Sequence, residues 1–95
     1  MTPTAENIAT ATGLDVKDID VNHNRLGLFI SIYSDVSVST AQFLSETVHE
    51  KVERPTKTTM YSVRVFNRKG RMIFYKMLDS GKEKYTFHNW KEGDE

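Results

Sequence analysis

Cysteine is absent from this 95-residue chain. That excludes disulfides, Cys-ligated zinc, iron–sulfur clusters and thiol nucleophiles. It fits a cytoplasmic setting. Proline occurs twice and glycine five times, which leaves no linker or low-complexity tract. Long apolar runs are lacking too. No stretch approaches the roughly 18 residues that a membrane-crossing helix needs. The opening MTPTAENIATATG has no positive segment ahead of an apolar one, so no signal peptide is expected. Net charge is also missing, because 13 Lys and Arg balance 13 Asp and Glu.

The charge that is present is unevenly placed. Residues 1–50 carry two bases against seven acids, a net of −5, and residues 51–95 carry eleven bases against six acids, a net of +5. An acidic half folding against a basic half accounts for part of this. At 95 residues the length predicts a single domain, 1–95, with one modest core.

The chain is organised around Met60 to Leu78, MYSVRVFNRKGRMIFYKML. Two runs rich in Val, Ile, Tyr and Phe flank Asn67-Arg68-Lys69-Gly70. Asn opens turns through its side chain, and Gly tolerates positive φ. The order predicts a type I turn closed by a G1 bulge. The register that follows opposes Val65 to Ile73, Arg64 to Phe74 and Val63 to Tyr75. One face then collects Tyr61, Val63, Val65, Ile73, Tyr75 and Met77 as core. The other collects Ser62, Arg64, Phe66, Met72, Phe74 and Lys76. Arg64 across from Phe74 allows a cation–π contact.

Elsewhere, Thr2-Pro3 and Gly13 bracket a short helix from about Pro3 to Thr12. Asp15 to Asn22 and Leu26 to Ser34 read as a first hairpin around the Asn22–Arg25 turn, with Leu26, Leu28, Ile30 and Ile32 on one face. Ser39 to Gln42 fits a capping box, with Val38 and Phe43 as a hydrophobic staple. A main helix is predicted from about Thr40 to Glu53, buried along Ala41, Leu44, Val48 and Val52, and stopped by Pro55. Lys84 to Trp90 reads as a last strand. The order α-β-β-α-β-β-β predicts an α+β fold: an antiparallel sheet of about five strands, the main helix on one face, and a short N-terminal helix.

The motifs that carry chemistry are incomplete. Asp18-Ile-Asp20-Val-Asn22-His-Asn24 has His23 where a calcium loop needs Gly, and Phe29 where it needs Glu. Gly81-Lys82 lacks the rest of a phosphate loop. His23, His49 and His88 have no ligand spacing. Ile8 to Ile19 has the spacing of a helix-turn-helix, but Asp15, Asp18 and Asp20 would then face phosphate. Lys69-Gly70-Arg71-Met72-Ile73-Phe74 lacks the stacking aromatics of an RNA-recognition strand. The expectation is a protein that binds rather than catalyses, with no cofactor and no metal.

Residues 54–91 combine ten bases and two acids with interleaved rings. Lys and Arg suit phosphate or carboxylate, and rings suit bases or protein side chains. The candidate binding residues are Arg64, Phe66, Arg68, Lys69, Arg71, Phe74, Lys76 and Trp90. Their partner would be an acidic protein surface or a nucleic acid, not a membrane, with homodimerisation as a further option. A compact, charge-polarised chain of this length is in the style of regulatory or inhibitory adaptors, such as phage-encoded proteins that block a host factor.

The segment SVRVFNRKGRMIFYKMLDSGKEKYTFHNW also resembles the C-terminal sheet of RelE/YoeB-type toxins, small ribonucleases of toxin–antitoxin pairs. Both have a basic strand, a turn, an Arg leading an aliphatic–aromatic strand, an acidic turn and a last strand ending in His or aromatics. The resemblance implies phosphate-binding roles for Arg64 and Arg71 and an acid/base role for His88. It covers about a third of the chain. Those toxins have a two-helix hairpin before the sheet and are strongly basic, whereas this chain has one helix there and no net charge.

Overall fold

Both helices begin where a side-chain oxygen takes up a free amide of the first turn. The computed structural model describes residues 4–52, 60–79 and 82–88, the last seven by backbone alone. Helix α1 spans Ala5–Thr12. Its N-cap is Thr4, whose Oγ1 accepts from the Asn7 amide while Asn7 Oδ1 accepts from the Thr4 amide. Thr2 and Pro3, which suggested an earlier start, lie outside the described residues. Gly13, left-handed at φ 79°, ends the helix and donates its N–H to the Ala9 carbonyl.

Helix α2 spans Val38–Lys51 and is capped by Ser37, two residues ahead of the Ser39 expected from sequence. Ser37 Oγ accepts from the Thr40 amide at 3.2 Å. The earlier start turns Val38 inward and leaves Phe43 67% exposed, so the expected staple between them does not form. Ala41, Leu44, Val48 and Val52 are all buried, as their spacing predicts. Pro55 lies outside the described residues.

A 3-10 turn, Val16–Asp18, leads into the sheet. Strand β1 starts at Ile19, where a helix-turn-helix would need its second helix, so that reading fails. The strands are β1 (Ile19–His23), β2 (Gly27–Tyr33), β3 (Met60–Phe66), β4 (Met72–Asp79) and β5 (Lys82–His88), in the order β1-β2-β3-β4-β5. The α+β class holds. The sheet is mixed, however, and not antiparallel as expected, because β2 and β3 run parallel. The lengths explain this. Fourteen helical residues rise about 21 Å, close to the roughly 23 Å of a seven-residue strand. Helix α2 therefore returns the chain to the end of the sheet where β2 began, and the next strand must run the same way. Where the two strands start, Gly27 pairs with Met60 so closely that a Cβ on Gly27 would overlap the Met60 backbone.

The hairpin turn forms as its residues predict. Asn67 Oδ1 accepts from the Lys69 and Arg71 amides, and Gly70 is left-handed at φ 89°. Beyond the turn the expected register fails. Phe66 pairs with Met72, but Val65 pairs with Phe74, so Ile73 is an extra residue in β4. Every later pair shifts by one: Arg64 opposes Tyr75, Val63 opposes Lys76, Ser62 opposes Met77 and Tyr61 opposes Leu78. Side chains alternate, so the shift exchanges the faces of β4.

The core lies between the sheet and the helices. Leu28, Ile30, Ile32, Tyr61, Val63, Val65 and Phe74 face α1 and α2 from the strands, and Ile8, Val38, Ala41 and Val48 answer from the helices. Each fully buried aliphatic here contributes about 1.5–3 kcal/mol relative to exposure. Leu26, expected on this face, precedes β2 and is 65% exposed.

Candidate interaction surface

Alternation places a second set of side chains on the face of the sheet turned away from both helices. Three rows cross it. The middle row runs Asp20, Ser31, Arg64, Tyr75, and continues in backbone register to Phe87. The row below runs Asn22, Phe29, Ser62, Met77. The row above holds Tyr33, Phe66 and Met72. Most of these residues are half-buried, although no described helix lies over them.

Arg64 is the centre of this face. Its guanidinium carbon sits 4.9 Å from the centre of the Tyr75 ring. The cation–π contact is therefore with Tyr75, not with Phe74 as the sequence suggested. Arg64 Nε is buried and has no hydrogen-bond partner, and no described carboxylate pairs with this side chain. The neighbouring Ser62 Oγ is likewise buried without a partner. At the upper end, Phe66 stacks on Tyr33 with ring centres 5.3 Å apart and planes 18° apart. Rings, methionine and one arginine on a sheet face with no described helix over it match the composition of protein-interface cores.

The hairpin tip has different chemistry. Arg68 pairs through both terminal nitrogens with Asp18, at 3.1 and 3.2 Å, and its amide donates to Asp35 Oδ1 at 2.9 Å. The acidic N-terminal half thus takes up this charge, and the Asp18 carboxylate raises the Arg68 pKa further. Lys69 and Arg71 are exposed. Arg71 and Asn67 line a cleft of about 210 Å³ with Asp35, Ser37 and Val38, at the carboxyl ends of the parallel pair β2 and β3.

A third cluster lies on the helix side. The Tyr61 hydroxyl donates to the Val52 carbonyl at 2.7 Å and to the Val48 carbonyl at 3.2 Å, tying β3 to the last turn of α2. Burial raises its pKa. His49 meets the Tyr61 ring edge-on, 4.5 Å between centres. Burial pushes His49 down to about 4, outweighing the Lys76 backbone, which acts the other way, while the Lys76 charge acts with burial.

The eight candidate residues therefore do not form one surface. Arg64 and Phe66 share the helix-free face. Arg68, Lys69 and Arg71 belong to the hairpin tip, with Arg68 already paired. Phe74 is 1% exposed in the core, which removes it as a binding residue. Lys76 pairs with Val63 on the helix side, beside His49, and leaves the proposed face as well. Both corrections follow from the extra residue Ile73. Trp90 lies outside the described residues. Of the residues the toxin resemblance picks out, Arg64 is in the sheet, Arg71 lines the tip cleft, and His88 is described by its backbone pairing with Phe74. Tyr33, Phe29, Tyr75 and Met77 are surface residues that the sequence reading missed. Alternation along β2 marks the first two, and the bulge hides the others. Among the described residues no cluster of His, Asp and Glu could hold a metal ion, and no helix is long and apolar enough to cross a membrane. The chain matches no protein-family model, no curated protein and no solved structure.

Proposed function

We propose that this chain is a non-enzymatic, cytoplasmic binding protein that engages a macromolecular partner through the helix-free face of its sheet. Arg64 carries the reading. A half-buried arginine set among Tyr75, Phe66 and Tyr33, with no described carboxylate on it, offers the donors of its terminal nitrogens to a group from outside. Arginine and large aromatics dominate binding energy where they cluster at the centre of an interface. A protein partner suits the face better than a nucleic acid. Phosphate backbones call for several cations, and the described part of this face has one.

The test compares capture by immobilised wild type with capture by Arg64→Glu and by Phe66→Ser, after matched melting curves establish folding. Loss of the same nuclease-resistant band with both variants supports the reading. Undiminished capture by both rejects the face. Arg68 is left unchanged, since replacing it would break the Asp18 pair and confuse stability with binding.

A further inference from the structure

The middle row of the open face holds one negative and one positive side chain, symmetrically placed. Asp20 on β1 and Arg64 on β3 flank Ser31 on β2. Neighbouring strands lie about 4.8 Å apart, so the two Cα atoms are separated by roughly 9.6 Å with Ser31 midway. Asp20 is exposed and pairs with no described cation. Arg64 does not reach across to it. Its guanidinium leans the other way, onto Tyr75. Each charge therefore lacks a counterpart among the described residues.

A surface with this arrangement complements itself. We propose that the helix-free face packs against the same face of a second copy of this chain, about a two-fold axis running along β2. Rotation about that axis carries β3 of one chain over β1 of the other. Arg64 of each copy then lies above Asp20 of its mate, and the contact forms twice. A closed two-fold pairing of this kind uses the same patch on both chains. Sheets that pack face to face lie about 10 Å apart with strands nearly aligned, a gap that an extended arginine spans. Phe29 and Tyr33, on β2 itself, fall along the axis and meet their own copies, which supplies the apolar centre. This inference rests on the face being a binding surface and names its occupant.

The test is solution mass by light scattering across a concentration series, on the full chain. Wild type is expected at twice the chain mass at the high end. Arg64→Asp sets two carboxylates over each other at both contacts, and Asp20→Arg sets two arginines there, so each variant alone is expected at the single-chain mass. Asp20 is exposed on an edge strand, so the second variant tests the pairing even if the first folds poorly. Mixing the two variants restores opposite charges at both contacts and should return the doubled mass as a mixed pair. A wild type that stays at the single-chain mass throughout overturns the inference. So does a dimer that both variants leave intact. A monomeric wild type whose capture of another protein or of nucleic acid still depends on Arg64 and Phe66 overturns the second copy as occupant while the binding face stands. Loss of that dependence as well removes both.

Discussion

Replacing Phe74 and Tyr75 by alanine, one at a time, asks which of two adjacent rings is in the core. The register with Ile73 as an extra residue puts Phe74 under the helices, 1% exposed, and Tyr75 on the open face beneath Arg64. The unbulged register puts them the other way round. Deleting a buried Phe side chain costs about 3–5 kcal/mol, from lost transfer energy and the cavity left behind. Tyr75→Ala loses a half-covered ring and a cation–π contact of about 0.5–1 kcal/mol at exposed sites, so its cost should stay near 1–2 kcal/mol. Total stability for a domain of this size is about 5–15 kcal/mol, so Phe74→Ala removes a large part of it. One kcal/mol moves the melting temperature of a domain this small by roughly 4–8 °C. Thermal unfolding followed by far-UV circular dichroism should show Phe74→Ala melting at least about 12 °C below wild type, and Tyr75→Ala within about half that shift. Urea titrations with unchanged slope would confirm that stability, not compactness, changed. A larger loss for Tyr75→Ala than for Phe74→Ala would refute the bulge, and with it the placement of every side chain on β4.

Two further outcomes follow from the fold. Gly27→Ala should destabilise by about 1–3 kcal/mol, because the new methyl overlaps the Met60 backbone and parts β2 from β3 at their start; a melting temperature equal to wild type would mean the parallel pair is looser there than the structure shows. His49 is held near 4, below its ordinary 6.5, so the unfolded chain binds more protons than the folded one between those values. Stability should therefore fall as pH drops from about 6.5 to 4, by up to about 3 kcal/mol, the free energy of a shift of this size. His49→Phe should flatten that part of the stability–pH curve, and an unchanged slope would assign the loss to other groups.

Local patterns made the helices and the alternating strands legible. Leu28, Ile30 and Ile32 repeat every second residue, and Ala41, Leu44, Val48 and Val52 follow the helical period, and all seven are buried. The Asn67–Gly70 turn was legible as well, because its hydrogen bonds are made within a few residues of one another. What could not be read was non-local. A strand, a helix and a strand give the same alternation whether the second strand pairs parallel or antiparallel with the first, and only the match in length between α2 and β2 tips the choice. The bulge was hidden for another reason. From Met72 to Leu78 the run MIFYKML has apolar residues on both faces of the strand. Its one charged residue, Lys76, lies on the helix side opposite Val63, so the run favours the unbulged register and nothing in it reports that Ile73 is extra.

That single residue has a consequence for the surface. Without it, Arg64 would oppose Phe74, the rings of β4 would exchange faces, and Lys76 would add a second cation to the outer side. With it, Lys76 goes to the helix side and the described part of the outer face keeps one cation among Tyr75, Met77 and Phe66. The basic excess of the C-terminal half then divides. At the hairpin tip the N-terminal half answers it, through Asp18 and Asp35 on Arg68. On the open face nothing within the described chain answers it. A buried donor without a partner costs about 1–3 kcal/mol, and an aliphatic side chain of similar size would avoid that cost. Arginine at position 64 is therefore a local loss for the isolated fold. A carboxylate brought in from outside would make charge-assisted hydrogen bonds to the terminal nitrogens, which are not buried as Nε is, and in the proposed pair the carboxylate of Asp20 on another copy stands at the matching position in the same row.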